Sequence, residues 1–295
     1  MQLRVLVTGA TGQQGGALAR LLLNSGHKVV ALTRNPNSAS AQELKRLGAT
    51  LAKGNLEDQH SIEQATDGAD VVFSMSTPFE SGTDTETRQG IAVANAAKSA
   101  GVKHLIYTSV PRAYEHTGIP HFDSKEKVEN HIKEVGVPYT ILGPAFFMDN
   151  LLSPWWLPGL KQGVFAIPLS ANRKWNVIAV EDIAKFAAHV IENREQFLGR
   201  RIDLSGDEIT PTQVAETLTT LSGRQIVHYQ VPEEQMRKEN EDFAIMFDWF
   251  ERVGMRIDVA ALRAEYPQVG WQSFDGWASR QDWSVLGQAD AGSAA

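Results

Sequence analysis

The chain has 295 residues, 42% of them hydrophobic, with a formal net charge of -7 and no cysteine. This length and apolar content are enough for one large α/β domain with an appendage, or for two small domains. The acidic charge supplies no basic surface for direct nucleic-acid binding, and the lack of cysteine excludes disulfides, thiolate metal sites and thiol-based redox sensing.

The N-terminus runs directly into a predicted strand, without the charged and then apolar segment of a secretion signal. No apolar run approaches the ~20 residues that a membrane-spanning helix needs. We therefore expect a cytoplasmic protein that has no membrane partner and no metal site.

A glycine-rich turn follows the first predicted element. Leu3, Val5, Leu6 and Val7 form a short apolar run typical of a central parallel strand, and apolar residues recur at helical spacing over 17–23. Between them the glycines follow the spacing Gly-x-x-Gly-x-x-Gly. Strand, glycine turn and helix in this order predict a dinucleotide-binding site, although an ordinary strand-to-helix turn is the alternative.

Each glycine of this turn has a predicted role. Gly9 takes the tight-turn conformation, Gly12 lets the backbone approach a pyrophosphate, and Gly15 allows the helix to pack on the strand. The helix N-terminus favours phosphate because its unpaired N–H groups and its dipole point there. The cofactor-binding residues predicted in this stretch are Gly9, Thr11, Gly12, Gln13, Gln14 and Gly15.

A second strand over 28–33 ends at Arg34. A site that prefers NAD usually has Asp or Glu at this strand end, whereas an arginine can pair with the 2′-phosphate of NADP. Arg34 is therefore the predicted ligand of that phosphate, with Lys45 as a more distant candidate. A solvated surface arginine is the alternative.

Strand and helix patterns continue to alternate through the first half of the chain. Helices are predicted over 40–47, 60–66 and 83–100, and strands over 49–52 and 70–75. Ligands bind outside the C-terminal ends of such strands, so Asn55 and Leu56 are predicted beside an adenine. A turn in which Asp58 caps the next helix explains the same residues equally well. The residues predicted to line the cofactor after the fourth strand are Met75, Ser76, Thr77 and Pro78.

A fifth strand over 104–109 ends in Ser109, a polar group that could face a substrate. The segment 110–123 lacks periodicity and contains Pro111, Gly118 and Pro120, which predicts a mobile loop over the site. The following helix, predicted over 122–135, carries Lys125 in its first turn, where a cation is unfavourable. That mismatch suggests function, whereas an exposed lysine beside Lys127 and Lys133 is the alternative.

The pattern changes after a sixth strand over 139–142. We predict an NADP-binding domain over 1–150 and a smaller α+β domain over 151–295, with a helix over 181–193 packed back on the first domain and a disordered tail over 287–295. The fold class is a doubly wound parallel Rossmann sheet with this smaller domain. The remaining predicted elements are strands over 163–168, 174–180, 201–204 and 225–230 and helices over 211–222 and 233–253.

Several short motifs resemble the NmrA-like family of atypical short-chain dehydrogenases/reductases over nearly the whole chain. The motifs are Gly9 to Gly15, Thr33-Arg-Asn-Pro36, Gly54-Asn-Leu-Glu-Asp58, Tyr107-Thr-Ser109, Phe122-Asp-Ser-Lys125, Pro138 to Leu142, Pro144-Ala-Phe-Phe147, Val180-Glu-Asp-Ile183 and Ile257 to Arg263. The resemblance implies a Rossmann domain that binds NADP(H) and a C-terminal domain that closes over a cleft. Further cofactor contacts are expected from Lys125, Pro144, Ala145 and Phe147.

What the resemblance implies about activity depends on a substitution. Typical short-chain dehydrogenases use a Tyr-x-x-x-Lys pair, and the matching positions here are His121 and Lys125. Relatives similar to aryl-ether and quinone reductases work without the tyrosine, and in the aryl-ether reductases a lysine matching Lys125 serves as base or polarising group. Other members are proposed redox sensors without turnover. Gly143 stands where many relatives have arginine, which is expected to enlarge or neutralise the pocket.

Two functions follow. The first is an NADPH-dependent reductase of a conjugated or aromatic carbonyl compound such as a quinone or enone. Lys125 would polarise the substrate oxygen or order a water, and His121, unless it is a surface histidine, would donate the proton. Phe146, Phe147, Trp155 and Trp156 would bind the flat substrate, or would instead seal a domain interface. The second is a catalytically silent NADP(H) sensor that reports to a protein partner through segment 110–123 or the C-terminal helices. The sequence leaves the substrate and a homodimer open.

Overall fold

The computed structural model describes residues 2–287, which divide into two compact units. The first unit comprises 2–144 and 180–204, and the second comprises 145–179 and 205–287. Residues 288–295, most of the tail predicted as disordered, lie outside the described residues.

The elements are numbered along the chain. The strands are β1 (Arg4–Val7), β2 (Lys28–Thr33), β3 (Thr50–Lys53), β4 (Val71–Ser74), β5 (His104–Thr108), β6 (Tyr139–Pro144), β7 (Phe146–Phe147), β8 (Val164–Ile167), β9 (Trp175–Ile178), β10 (Arg201–Leu204), β11 (Asp207–Ile209) and β12 (Val227–Gln230). The α-helices are α1 (Gln13–Asn24), α2 (Ala39–Arg46), α3 (Gln59–Thr66), α4 (Thr83–Ser99), α5 (Pro120–Val135), α6 (Leu157–Lys161), α7 (Val180–Glu192), α8 (Arg194–Phe197), α9 (Pro211–Ser222), α10 (Glu233–Glu239), α11 (Glu241–Arg252), α12 (Val259–Glu265) and α13 (Phe274–Ala278).

A seven-stranded sheet forms the centre of the first unit, in the order β10-β6-β5-β4-β1-β2-β3. All its strand pairs are parallel, and the order reverses between β1 and β4, which confirms the predicted doubly wound sheet. Its core includes Leu6 and Leu105 on the strands and Val93, Val128 and Ile132 on α4 and α5, all with 0% exposure.

After 145–179, which belong to the second unit, residues 180–204 belong to the first unit again. Helix α7 packs on α1, and β10 pairs with β6 in parallel, with Ile202 opposite Leu142. The sequence pattern located this strand and assigned it to the second domain, but its partner lies in the central sheet.

The second unit has two small sheets. One has the order β11-β9-β7 and the other pairs β12 with β8. Phe146 and Phe147 form β7, which pairs with β9, and this is why 145–150 cluster with the second unit although the sequence grouped them with the first. The helix predicted over 233–253 is interrupted at Asn240, whose backbone is extended and whose side chain caps α11.

The segment predicted as a mobile loop, 110–123, is tethered inside the first unit. Arg201 donates from Nη2 to the carbonyl of Val110 at 2.6 Å, and the backbone N–H of Arg112 donates to Asp203 at 3.2 Å. A short 3₁₀ turn covers Ala113–Glu115, and α5 starts at Pro120 rather than at 122. Proline fits there because the first helical N–H needs no partner within the helix.

Residues 2–287 contain neither a candidate membrane-spanning helix nor a candidate metal site. None of the helices there has the length and apolarity required to cross a bilayer. Nor does that part of the chain bring together three or more His, Cys, Asp or Glu side chains in a way that could hold a metal ion.

Candidate functional site

A cavity of about 260 Å³ lies in the first unit, at the C-terminal ends of β1 to β4. This is the switch point of the sheet, where open α/β sheets bind their ligands. Its lining residues are Gly9, Thr11, Gly12, Leu32, Thr33, Arg34, Gly54, Asn55, Leu56, Met75, Ser76, Thr77, Glu80 and Gln89.

Nine residues predicted to bind the cofactor are in this lining, and others are outside it. The lining does not include Gln13, Gln14, Gly15, Pro78, Lys125, Pro144, Ala145 or Phe147. The sequence missed Leu32, Thr33, Gly54, Glu80 and Gln89. The first three stand at strand ends and could have been found by that rule, whereas no local signal marks Glu80 or Gln89.

The glycine-rich turn needs its glycines for geometric reasons. Gly9 has a φ of +60°, and a Cβ atom there would lie 2.1 Å from the sulfur of Met75. A Cβ atom at Gly15 would lie 2.5 Å from the carbonyl oxygen of Gly9. The hydroxyl of Thr8 joins the ends of β1 and β4, since it donates to the Met75 carbonyl at 2.9 Å and accepts from the Met75 N–H at 2.8 Å.

Helix α1 presents an N-terminus that no side chain caps in the part of the chain described here. Its N-cap is Gly12, and its first turn carries no acidic residue. By contrast, Ser38 caps α2 and Asp58 caps α3. The side-chain amide of Gln14 does not cap the helix, because it is buried and donates to the Thr108 hydroxyl at 3.0 Å. The free N–H groups of α1 therefore fit an anion such as a pyrophosphate.

Arg34 lines the cavity and is paired with Glu80. Its two terminal nitrogens donate to the two carboxylate oxygens at 2.6 and 3.0 Å. The hydrogen bond to this partner raises the pKa of Arg34 and lowers the pKa of Glu80. The guanidinium predicted to bind a 2′-phosphate is thus held by a carboxylate of the same cavity.

After β3, the sequence left two interpretations of 55–58 open: a wall of the cofactor cavity, or a turn in which Asp58 caps the next helix. The structure contains both features. Asp58 caps α3 by accepting from the N–H of Ser61 at 3.3 Å, and Asn55 closes a turn by accepting from the N–H of Glu57 at 3.2 Å. Asn55 and Leu56 nevertheless line the cavity. Asn55 and Leu56 therefore belong to the turn and also form part of the cavity wall.

Lys125 is buried, so the alternative of an exposed lysine is wrong. Its ammonium lies 2.8 Å from Oε1 of Glu86, which is fully buried on α4, and it donates to the Ser76 carbonyl at 3.2 Å. The hydroxyl of Ser124 donates to the other oxygen of Glu86. Because α5 starts at Pro120, Lys125 stands in the second turn, and Glu86 supplies the opposite charge that the helix end does not.

Tyr107 lies beneath this buried pair. The Lys125 ammonium is 5.7 Å from the centre of its ring. Burial, together with the carboxylates of Glu86 and Glu129, raises the pKa of the Tyr107 phenol well above 10. The phenol is therefore protonated throughout the physiological range.

Ser109 belongs to a second buried cluster, which the structure does not join to Lys125. Its hydroxyl donates to Glu129 at 2.5 Å, and Glu129 accepts from Nε of Arg201 at 3.1 Å. Arg201 also pairs with Asp203, whose pKa is raised by burial. A Cβ atom at Gly143 would lie 2.3 Å from the Asp203 carboxylate. The expected space at Gly143 is therefore filled by this carboxylate.

His121 is 5% exposed, so it is not a surface histidine. Its ring lies 4.8 Å from that of Phe122 and 6.0 Å from that of Phe79, measured between ring centres. Phe79 belongs to the turn that carries Glu80. The histidine thus packs against the segment that follows Met75 to Thr77, the cavity-lining residues after β4.

The four aromatic residues predicted to bind a flat substrate belong to the second unit, and Phe146, Trp155 and Trp156 make ring contacts in two separate groups. The ring centre of Phe146 lies 5.3 Å from that of Trp156 and 4.6 Å from that of Trp175. The sequence analysis did not single out Trp175. The ring of Trp155 lies 5.4 Å from Phe243. The indole N–H of Trp175 is buried and has no hydrogen-bond partner among the described residues.

Comparison with known proteins gives a consistent result. The model of the NmrA-like family matches residues 1–278. An NmrA-like family domain-containing protein of Dictyostelium discoideum is 26% identical over 274 residues, which cover 86% of this chain and 89% of that protein. Quinone oxidoreductase 2 of Escherichia coli is 31% identical over 233 residues, covering 78% of each chain.

A solved structure gives the same picture. The crystal structure of the NADPH-dependent quinone oxidoreductase QOR2 of Escherichia coli, complexed with NADPH, superposes with a TM-score of 0.77 at 26% identity. The match covers 93% of this chain and 98% of that one.

Proposed function

The chain belongs to the NmrA-like family of NAD(P)-binding oxidoreductases, and on that premise we propose that it is an NADPH-dependent reductase of conjugated or aromatic carbonyl compounds such as quinones and enones. The observation that carries the proposal is the cavity at the switch point of the sheet, whose wall includes Ser76, the residue that accepts from the buried Lys125. Relatives of this chain include a quinone oxidoreductase.

The residues of the cavity fit a dinucleotide with a 2′-phosphate. The Gly9 to Gly12 turn and the uncapped start of α1 suit a pyrophosphate, because backbone N–H groups are available and a side chain at Gly9 would be strained. Arg34 would hold the 2′-phosphate, Asn55 and Leu56 would contact the adenine, and Met75 to Thr77 would line the riboses.

Lys125 is our candidate for the group that polarises the substrate oxygen or orders a water beside it. When bound, the nicotinamide supplies a hydride. The protein has to place a positive charge near the oxygen that becomes negative, and Glu86 together with the Ser76 carbonyl fixes the Lys125 ammonium in one place. His121 is our candidate for the proton donor, and Ser109 is our candidate for a polar contact with the substrate.

Four aromatic residues of the second unit are our candidates for binding a flat substrate: Phe146, Phe147, Trp155 and Trp156. Phe146 and Trp156 meet edge to face, and each such contact contributes about 1 kcal/mol beyond burial. Phe147 lies beside Phe146 in β7, and Trp155 is 62% exposed. An aromatic carbonyl compound offers the flat apolar surface that these rings prefer.

The test is NADPH oxidation at 340 nm against quinones, enones and aromatic aldehydes, after NADPH binding has been measured by fluorescence. The variant Lys125→Met/Glu86→Gln removes the ammonium without leaving a buried carboxylate, and Glu86→Gln alone is its control. If Lys125 acts in the reaction, the double variant loses at least ~100-fold in turnover relative to the control. Turnover in both variants close to that of the unmodified chain would remove Lys125 from the mechanism.

A second candidate function is an NADP(H) sensor without turnover. It is favoured by the buried histidine at the position where a catalytic tyrosine is expected and by the engagement of Lys125 with Glu86. A sensor of the redox ratio must bind NADPH and NADP⁺ with different affinities, since equal affinity shifts no equilibrium. Tight NADPH binding with no oxidation across the panel, and dissociation constants that differ between the two forms, would support this function over the reductase.

A further inference from the structure

We propose that Glu80 sets the preference of the cavity for a 2′-phosphate, by acting as a built-in competitor for Arg34. The inference rests on the proposed binding of NADP(H) and adds to it a specificity-determining residue. It starts from the observation that the same guanidinium edge cannot serve the carboxylate and a phosphate at once.

The contact between the two side chains is bidentate. Nη1 of Arg34 donates to Oε2 of Glu80 at 2.6 Å, and Nη2 donates to Oε1 at 3.0 Å. A bound phosphate would use the same pair of parallel N–H groups. A 2′-phosphate can therefore take the full guanidinium edge only when Glu80 releases it.

The position of the pair in the sheet makes this competition specific to the dinucleotide cavity. Arg34 follows β2 and Glu80 follows β4, and β1 lies between these two strands. The pair thus joins the two loops that flank the glycine-rich turn. Both residues line the cavity, so a ligand entering it meets both charges.

Glu80 stands on a turn that can hold it there. The N–H of Gly82 donates to the carbonyl of Pro78 at 2.8 Å, and Gly82 has a φ of +83°. Phe79, the neighbour of Glu80, packs its ring near His121. The carboxylate is therefore presented by a closed turn and not by a long extended loop.

The charges predict two effects of Glu80 on a 2′-phosphate. Glu80 withholds Arg34, and its own negative charge repels the phosphate. Both side chains are more than half exposed, so solvent and salt weaken the pair. Exposed pairs of this kind change an equilibrium by about fivefold at most, and removing the carboxylate should tighten phosphate binding by about that factor.

The experiment measures the dissociation constants of adenosine 2′,5′-bisphosphate and of 5′-AMP, which differ in the 2′-phosphate, by calorimetry at low salt with the full chain. Glu80→Gln is expected to tighten the bisphosphate about fivefold and to leave 5′-AMP within about twofold. The control is Glu57→Gln, which makes the same change in net charge on the loop after β3, where Glu57 pairs with Arg88 and not with Arg34.

Arg34→Gln separates competition from simple repulsion. If Glu80 acts by holding the guanidinium, then Glu80→Gln has less than about half of its effect when Arg34 is already replaced. An undiminished effect in the Arg34→Gln background would overturn the competitor role, as would a Glu80→Gln variant with unchanged selectivity or a Glu57→Gln variant with the same gain.

The outcome for the unmodified chain keeps the two proposals apart. If it binds the bisphosphate more tightly than 5′-AMP and Glu80→Gln does not alter the ratio, only the role of Glu80 fails. If it does not distinguish the two ligands, and neither variant does, the proposed preference for NADP(H) fails together with the inference.

Discussion

Replacing Lys125 by Met is expected to destabilise the first unit strongly. The substitution keeps the length and apolar stem of the side chain and removes only the ammonium. Glu86 then remains fully buried on α4, with the hydroxyl of Ser124 as its remaining donor among the described side chains. An uncompensated buried charge of this kind costs about 3–5 kcal/mol of unfolding free energy.

That cost is a large part of the about 5–15 kcal/mol by which proteins of ordinary stability are folded. The second substitution, Glu86→Gln, removes the charge and keeps an oxygen that can accept from Ser124. The double variant should therefore recover most of the loss and lie within about 1–2 kcal/mol of the unmodified chain, because removing both partners avoids the unpaired charge.

The assay is urea unfolding followed by far-UV circular dichroism and by hydrogen exchange in α4 and α5. Tryptophan fluorescence is unsuitable on its own, because all 7 tryptophans lie in the second unit and the pair lies in the first. A loss below about 1 kcal/mol in Lys125→Met, or a double variant no more stable than the single one, would refute the reasoning.

Two other predictions concern single positions of the first unit. Gly9→Ala should lower stability by about 1–2 kcal/mol and weaken NADPH binding, because alanine is strained at this positive φ and its Cβ clashes with the Met75 sulfur. The control is Gly26→Ala, where φ is +80° but no atom lies within 4 Å of the new Cβ, so only the backbone strain is added. Burial lowers the pKa of His104 to about 4, and its Nε2 donates to Thr140, whose hydroxyl donates onward to Phe197. The unfolded chain therefore takes up the proton first on acidification, so stability should fall by about 3 kcal/mol between about pH 6.5 and pH 4, and His104→Gln should flatten that slope in urea titrations.

Local elements could be predicted from sequence, because their signals are local. The apolar run from Lys28 to Thr33 is β2, and the helix over 211–222 is α9 with Thr210 and Gln213 forming its capping box. The glycine turn was predictable for the same reason, since Gly9 must adopt a conformation that side chains disfavour. The cavity wall at strand ends followed from the order of the sheet.

The charge partners could not be predicted, because they depend on which elements become neighbours. Glu80 meets Arg34 only because β2 and β4 both flank β1, and Arg201 reaches Glu129 only because β10 returns to the central sheet. The unfavourable position of Lys125 in its helix was visible in the sequence. Its compensation comes from Glu86 on another helix, which no spacing along the chain indicates.

The distance between Lys125 and Glu86 depends on how closely α4 approaches α5. Glu86 and Gly90 lie four residues apart on one face of α4, and Lys125 and Val128 lie three apart on one face of α5. A Cβ atom at Gly90 would lie 2.7 Å from both methyl groups of Val128. The missing side chain therefore lets the two helices come close enough for the buried pair to form.

Gly90→Ala tests this directly, because two known effects oppose each other there. Alanine favours a helix over glycine by about 1 kcal/mol, whereas overpacking a core costs about 1–3 kcal/mol. Since Val128 is fully buried and presents both methyl groups, we expect net destabilisation and a smaller coupling energy between Lys125 and Glu86 in the Lys125→Met/Glu86→Gln cycle. Val128→Ala in the same chain should restore that coupling. A more stable Gly90→Ala variant with unchanged coupling would show that close helix packing at Gly90 does not hold the pair together.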